Sequence, residues 1–158
     1  GFPKTPRMLE AGLSVGLGSD GAAGSSLSLF DEMKVFRSGI HAFWGLPVFD
    51  PVVLRASELL KMATLGGAKA LLLDDEIGTI EVGKKADLIL IDLDQPHLTP
   101  THNLVNTIVE CATGKDVTDS IIDGRVVMKN REVKTLDEEK IIYECKQRMT
   151  SISKRAGI

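Results

Sequence analysis

The sequence predicts an α/β chain in two regions, closed by a terminal helix. Three observations carry this expectation. Residues 1–78 alternate an apolar run with stretches of helical period. Residues 79–133 hold strand-like runs, and Asp123-Gly124 between two of them marks a hairpin. Residues 134–158 repeat apolar side chains at helical spacing.

Residues 6–12 read as one or two helical turns, with Gly12 as the residue beyond the end. Residues 13–17 are short and mostly apolar, the pattern of a buried strand. They lead into Gly18-Ser19-Asp20-Gly21-Ala22-Ala23-Gly24-Ser25-Ser26, a loop by composition. Leu29, Met33, Phe36 and Ile40 then lie on one face of a helix. Gly45, Pro47 and Asp50-Pro51 break it. Asp50-Pro51 is also a cap and first-turn combination for a second helix, with Val52, Ala56, Leu59, Leu60 and Ala63 on its apolar face. Residues 64–73 continue as another helix after Gly66-Gly67. Such alternation of strand and helix belongs to α/β proteins.

Beyond Glu76 the character changes. Residues 79–82 and 86–93 read as strands joined by Gly83-Lys84-Lys85, where the lysines read as a solvated turn. Leu88-Ile89-Leu90-Ile91 is apolar on both faces, as an interior strand is. Residues 107–112 read as a further strand or mixed segment. Asp123-Gly124 tolerates the positive φ angles of a tight hairpin turn. Thr135 and Glu138 have the spacing of a capping box. Ile141, Cys145, Met149 and Ile152 stripe the helix that follows.

Composition narrows the function classes. The 158 residues are 43% hydrophobic and 26% charged, a core-forming composition rather than a disordered one. A net charge of −3 offers no field for nucleic acid or an anionic membrane. Cys111 and Cys145 have neither disulfide-framework nor zinc-cysteine spacing and suit a reducing, cytoplasmic setting. No apolar run approaches the roughly 20 residues of a membrane helix, and residues 1–10 hold no signal-peptide core. A start at Gly1 instead of Met reads as a fragment or a processed product.

Asp20 is the leading candidate for chemistry. It follows an apolar strand directly and sits among glycines, at the strand end where α/β proteins bind ligands. A carboxylate there can ligate a divalent metal or take a proton from metal-bound water. The plainer alternative is a turn aspartate bonded to its own loop. Gly16-x-Gly18-x-x-Gly21 matches a dinucleotide fingerprint in form, but its first glycine falls inside the strand and no acidic strand end follows. His41, His97 and His102 form no HxH or HExxH pair. His97 and His102 read as surface loop residues, and His41 as a helix-end residue near Trp44. Ser19, Ser25 and Ser26 lack a GxSxG elbow.

Three stretches together resemble the amidohydrolase superfamily, in the branch of methylthioadenosine/adenosylhomocysteine deaminases and triazine chlorohydrolases. Ala11-Gly12-Leu13-Ser14-Val15-Gly16-Leu17-Gly18-Ser19-Asp20-Gly21 resembles the final barrel strand and its Ser/Thr-Asp-Gly ending. Ala63-Thr64-Leu65-Gly66-Gly67-Ala68 is similar to the family's Ala-Thr-x-x-Gly-Ala helix. Ile77-Gly78-Thr79-Ile80-Glu81-Val82-Gly83-Lys84-Lys85-Ala86-Asp87-Leu88-Ile89-Leu90-Ile91-Asp92 is similar to the entry into its β-sandwich. The match continues through Asp94-Gln95-Pro96-His97-Leu98-Thr99-Pro100 and the hairpin.

The resemblance implies a metal-dependent hydrolase of non-peptide C–N bonds, deaminating an adenosine-type or other N-heterocyclic small molecule. Residues 1–78 would be the last strand and helices of a (β/α)8 barrel, 79–133 part of a composite β-sandwich, and 134–158 a terminal helix. Asp20 would be both metal ligand and catalytic group, with zinc or another divalent ion in the full-length protein. Lys84, Asp87 and the hairpin would be structural. The family's HxH and its other barrel histidines have no counterpart here, so the chain is expected to be inactive alone and not to retain the metal. It is also expected to self-associate through exposed strands. The alternative reading is a non-catalytic self-associating or binding module.

Overall fold

In the computed structural model, which describes residues 3–21, 26–50 and 52–157, the chain is α/β. Helix α1 (Thr5–Glu10) begins with Pro6 in its first turn, where a missing N–H costs nothing. Residues 13–19 then run extended. Val15, Leu17 and Ser19 are half-buried and alternate with exposed neighbours, the two-residue period of a strand. Among the described residues, however, no strand pairs with this segment. The expected buried strand is therefore an extended segment lying on a helix, with Leu17 N–H donating to Met62 O at 3.3 Å. A strand is defined by its neighbours, and here one flank meets helix and the other meets none.

Helix α2 (Leu29–Ile40) matches its predicted period and buries Met33 and Ile40. Ser28 caps it, accepting from Asp31 N–H at 3.4 Å. It runs on through a π-helical turn (His41–Gly45) and a 3₁₀ turn (Leu46–Val48), ending at Phe49 in the left-handed region. Residues 22–25 of the predicted loop over 18–26, and the cap proline Pro51, lie outside the described residues. Asp50 does accept from Val52 N–H (2.9 Å), yet the next helix, α3 (Ala56–Lys61), begins only at Ala56. Residues 52–54 instead form a bend that inserts Leu54, fully buried, into the core. Glu58 supplies the cap by accepting from Arg55 N–H at 2.6 Å. Helix α3 passes through a π-helical turn (Met62–Gly66) into α4 (Gly67–Ala70), so the two helices expected here are one run.

Gly66 makes that run possible at its contact with the extended segment. A Cβ built on it would sit 2.6 Å from Val15 O, and one on Gly16 would sit 2.9 Å from the Gly67 Cα. Both neighbours are backbone and cannot swing aside, so this seam requires glycine. Gly66→Ala should lower stability by about 1–3 kcal/mol in chemical denaturation, because the backbone must separate. Gly114→Ala, which meets open space, is the control.

The core joins Met33 and Ile40 to Leu54, Ala56, Leu59, Met62 and Val109. Val109 arrives on helix α5 (Leu104–Glu110), where a strand or mixed segment was expected over residues 107–112. The β-branched run Thr107-Ile108-Val109 favours a strand locally, but Asn103 caps a helix by accepting from Asn106 N–H at 3.0 Å. Packing of Val105 and Val109 on the core then decides. An Arg37–Glu110 ion pair ties α2 to α5, and Arg37 Nε donates to Leu54 O at 3.3 Å.

A four-stranded antiparallel sheet completes the fold, in the order β1 (Leu88–Ile91), β2 (Val117–Ile122), β3 (Arg125–Lys129), β4 (Glu132–Val133). Residues 79–82, expected as a strand, are turns and irregular chain. Lys84 organises them: Nζ donates to Asp74 O at 2.7 Å and to Thr79 Oγ1 at 2.6 Å. Its side chain is 13% exposed, so it is an anchor and not the solvated turn residue that composition alone predicts. Strand β1 is an edge strand rather than an interior one. It pairs with β2 from Leu88↔Ile121 to Ile91↔Val117, while Ile89 and Leu90 stay 51% and 50% exposed. Its two-sided apolar pattern has no second strand to meet among the described residues.

The hairpin matches expectation. Asp123 and Gly124 take φ of 50° and 74°, and Ile122 pairs with Arg125. Asp87 fixes the turn by accepting from Asp123 N–H at 2.7 Å. Helix α6 (Glu138–Ala156) is present, but its cap is Asp137, which accepts from Lys140 N–H at 2.9 Å, in place of the predicted Thr135 box. None of its residues is buried. No described helix is long and apolar enough to cross a membrane.

Candidate active site

Asp20 ends the extended segment and is exposed to solvent. Val15 and Leu17 root that segment in the core, and the Gly16–Gly67 and Val15–Gly66 contacts hold it against the α3–α4 run. Asp20 itself takes φ 55°, a left-handed conformation unusual for a residue with a side chain. Ser19 Oγ accepts from Gly21 N–H at 3.3 Å, closing a short turn across it. A solvent-facing carboxylate on a fixed backbone can accept a proton or contribute one ligand to a cation.

The histidines do not join it. His41 follows α2, where its Nε2 is buried without a hydrogen-bond partner among the described residues. Trp44 beside it packs against the core, and the Arg7 guanidinium lies 5.9 Å from its ring centroid. His102 is exposed in a loop. His97 is more than a surface loop residue: its Nε2 donates to Asp116 Oδ2 at 3.0 Å.

Among the described residues no group of three His, Cys, Asp or Glu side chains is placed to hold a metal ion. A catalytic zinc takes about three protein ligands. The described residues alone therefore do not fit the metal that the resemblance implies, and Asp20 is the candidate ligand that the sequence supplies.

A second polar cluster escaped sequence reading. Asp116 is 3% exposed and accepts from Thr113 N–H (2.7 Å) and Thr113 Oγ1 (3.0 Å) as well as from His97. Burial works against its charge, but these three bonds prevail and hold the carboxyl below its ordinary value. Asp92 nearby is lowered first by Arg131, then by Asp94 N–H and Gln95. Arg131 also donates to Lys115 O at 3.0 Å. Gln95, His97, Thr113, Lys115, Asp116 and Arg131 line a shallow cavity of about 590 Å³. The available signal was the Thr113-x-x-Asp116 spacing, which is that of a capping box. These bonds are spent within the chain, joining the end of β1, the 3₁₀ turns Pro96–Leu98 and Gly114–Asp116, and the β3–β4 turn.

The amidohydrolase family model matches residues 1–127. The chain belongs to the amidohydrolase family. It is 44% identical over 156 residues to the 5-methylthioadenosine/S-adenosylhomocysteine deaminase of Thermoanaerobacter pseudethanolicus, covering 98% of this chain and 35% of that protein. To the deaminase of the same name from Acetivibrio thermocellus it is 46% identical over 151 residues, covering 93% and 33%. The fold agrees. A zinc-bound adenosine deaminase from Xanthomonas campestris superposes with a TM-score of 0.87 at 32% identity, over 98% of this chain and 34% of that one. A zinc complex of atrazine chlorohydrolase from Arthrobacter aurescens gives 0.76 at 26% identity, over 89% and 31%. This amidohydrolase chain thus belongs to a hydrolase family with deaminase and chlorohydrolase members. It spans about a third of the length of the relatives it matches.

Proposed function

We propose that this chain is the C-terminal portion of a metal-dependent deaminase, and that Asp20 is its contribution to the catalytic site. The observation that carries the reading is Asp20 itself, a fixed, solvent-facing carboxylate at the end of an extended segment, in a chain otherwise aligned with deaminases. In this reading residues 1–78 are the last strand and helices of a barrel, 79–133 a share of a β-sandwich, and 134–158 a terminal helix. The extended geometry of residues 13–19 supports it, since such a segment needs strand neighbours on the flank now open.

The substrate class is an adenosine-type or related N-heterocycle whose exocyclic amine leaves as ammonia. Zinc or another divalent ion belongs to the full-length protein, where it would activate water for attack. Asp20 serves as the carboxylate that accepts and passes a proton. Its rigid backbone keeps that oxygen in place without reorganisation. The remaining ligands come from outside these residues, so the isolated chain is inactive. With the β1 edge unpaired, the isolated chain also self-associates, which sedimentation would read as a species larger than one chain.

The direct test is ammonia release from adenosine and its 5′-thio derivatives. The full-length protein with zinc is expected to release it. The isolated 158-residue chain with the same zinc is expected to release none. Turnover by the isolated chain would overturn the single-ligand reading, and inactivity of the full-length protein on every such amine would overturn the substrate class.

A further inference from the structure

The loop that presents Asp20 holds its backbone in an uncommon state. Asp20 takes φ 55° and Gly21 takes φ 62°, two left-handed residues in succession. The left-handed conformation costs an L residue about 1–2 kcal/mol, so something local must favour it. Upstream, the backbone is fixed by the Leu17–Met62 hydrogen bond and by the glycine seam on the α3–α4 run. Across Asp20 itself, the half-buried Ser19 reaches forward and its Oγ accepts from Gly21 N–H at 3.3 Å. The hydroxyl therefore ties the Asp20–Gly21 peptide unit back to residue 19 across Asp20. Rotation of that peptide unit would break the bond and swing the carboxylate.

We propose that Ser19 is a positioning residue for Asp20: its hydroxyl closes the turn over Asp20 and sets the direction of the carboxylate. This rests on the reading of Asp20 given above. Ser19 needs no contact with substrate to act. Its effect is to keep one carboxylate direction populated, and displacement of a reacting group by about 1 Å can cost about a hundredfold in rate. The hydroxyl oxygen is what matters in this account, so threonine should substitute for serine, and a side chain of the same shape without oxygen should not.

The experiment uses the full-length protein loaded with zinc, comparing Ser19→Thr with Ser19→Val. These variants share shape and differ in the hydroxyl. Ser19→Val is expected to lose about 10- to 100-fold in kcat with KM held within about threefold. It is also expected to yield zinc to a competing chelator more readily. Ser19→Thr should stay within about threefold of the parent in kcat and match it in zinc retention. Both should share the parent's thermal midpoint. Equal kcat and zinc retention in the two variants, whether both are full or both are lost, would overturn the proposal, as would a loss in Ser19→Val that follows a lowered midpoint. Asp20→Asn measured alongside separates the two levels. If Asp20→Asn keeps its activity, the reading of Asp20 itself fails. If Asp20→Asn is inactive while Ser19→Val is unimpaired, only the role of Ser19 fails.

Discussion

Replacing Asp20 by Asn in the full-length protein should lower kcat by about a hundred- to ten-thousandfold, with a much smaller change in KM. The substitution keeps size and shape but removes the negative charge and the capacity to take a proton. Because Asp20 is exposed and its backbone is set by neighbours on both sides, the loop should survive the change. Asn tolerates the left-handed conformation as well as Asp does, so φ 55° adds no new strain. Steady-state kinetics with the thermal midpoint as control isolates the chemical loss. An Asp20→Asn protein with unaltered kcat would show that this carboxylate is only a turn residue.

The largest stability effect is expected at Asp116. Asp116→Ala removes, at a position 3% exposed, the acceptor of the half-buried Thr113 N–H and hydroxyl and the partner of the His97 ring, whose side chain is 48% exposed. Leaving buried polar groups unpaired costs about 1–3 kcal/mol each in the strongest cases. Allowing for partial rescue by water at the open cavity, the total loss should be about 2–4 kcal/mol. Asp116→Asn keeps an acceptor for Thr113 and should lose roughly half as much. Denaturant titration at neutral pH reads both.

The same residue gives a pH signature. The folded Asp116 carboxyl lies below its ordinary value, so the unfolded chain binds its proton first as pH falls. Its contribution to stability is complete above the unfolded value near 4 and is lost as pH falls through the lowered folded value. Asp92 acts in the same direction and persists in the variant. Asp116→Asn should therefore flatten the loss of stability below about pH 4 without abolishing it. A variant curve parallel to the parent's would show that Asp116 is not held ionised by these bonds.

Features decided locally were legible in the sequence. The Leu29–Ile40 helix announces itself by period, and Asp123-Gly124 specifies its turn by backbone preference alone. Features decided by partners were not. Residues 107–109 carry β-branched side chains but become helix because Val109 is needed in a core assembled from α2 and α3. Lys84 looks like any turn lysine until Asp74 O and Thr79 Oγ1 are brought to its ammonium. Residues 13–17 and β1 read as buried strands because their composition suits neighbours on both flanks, and among the described residues one flank is open. The candidate site follows the same division. Asp20 was identifiable from the apolar run and glycines around it, whereas Ser19's bond to Gly21 N–H and the His97–Asp116 pair required coordinates.

The central claim, that this chain supplies a single group to a metal site completed elsewhere in the protein, is tested most directly by zinc retention. The isolated chain and the full-length protein would each be equilibrated with zinc, passed through gel filtration, and assayed for metal per polypeptide. The account predicts a full-length protein that retains zinc, less firmly after Asp20→Asn, and an isolated chain that retains none. An isolated chain that leaves the column carrying stoichiometric zinc, and loses it on Asp20→Asn, would contradict the account.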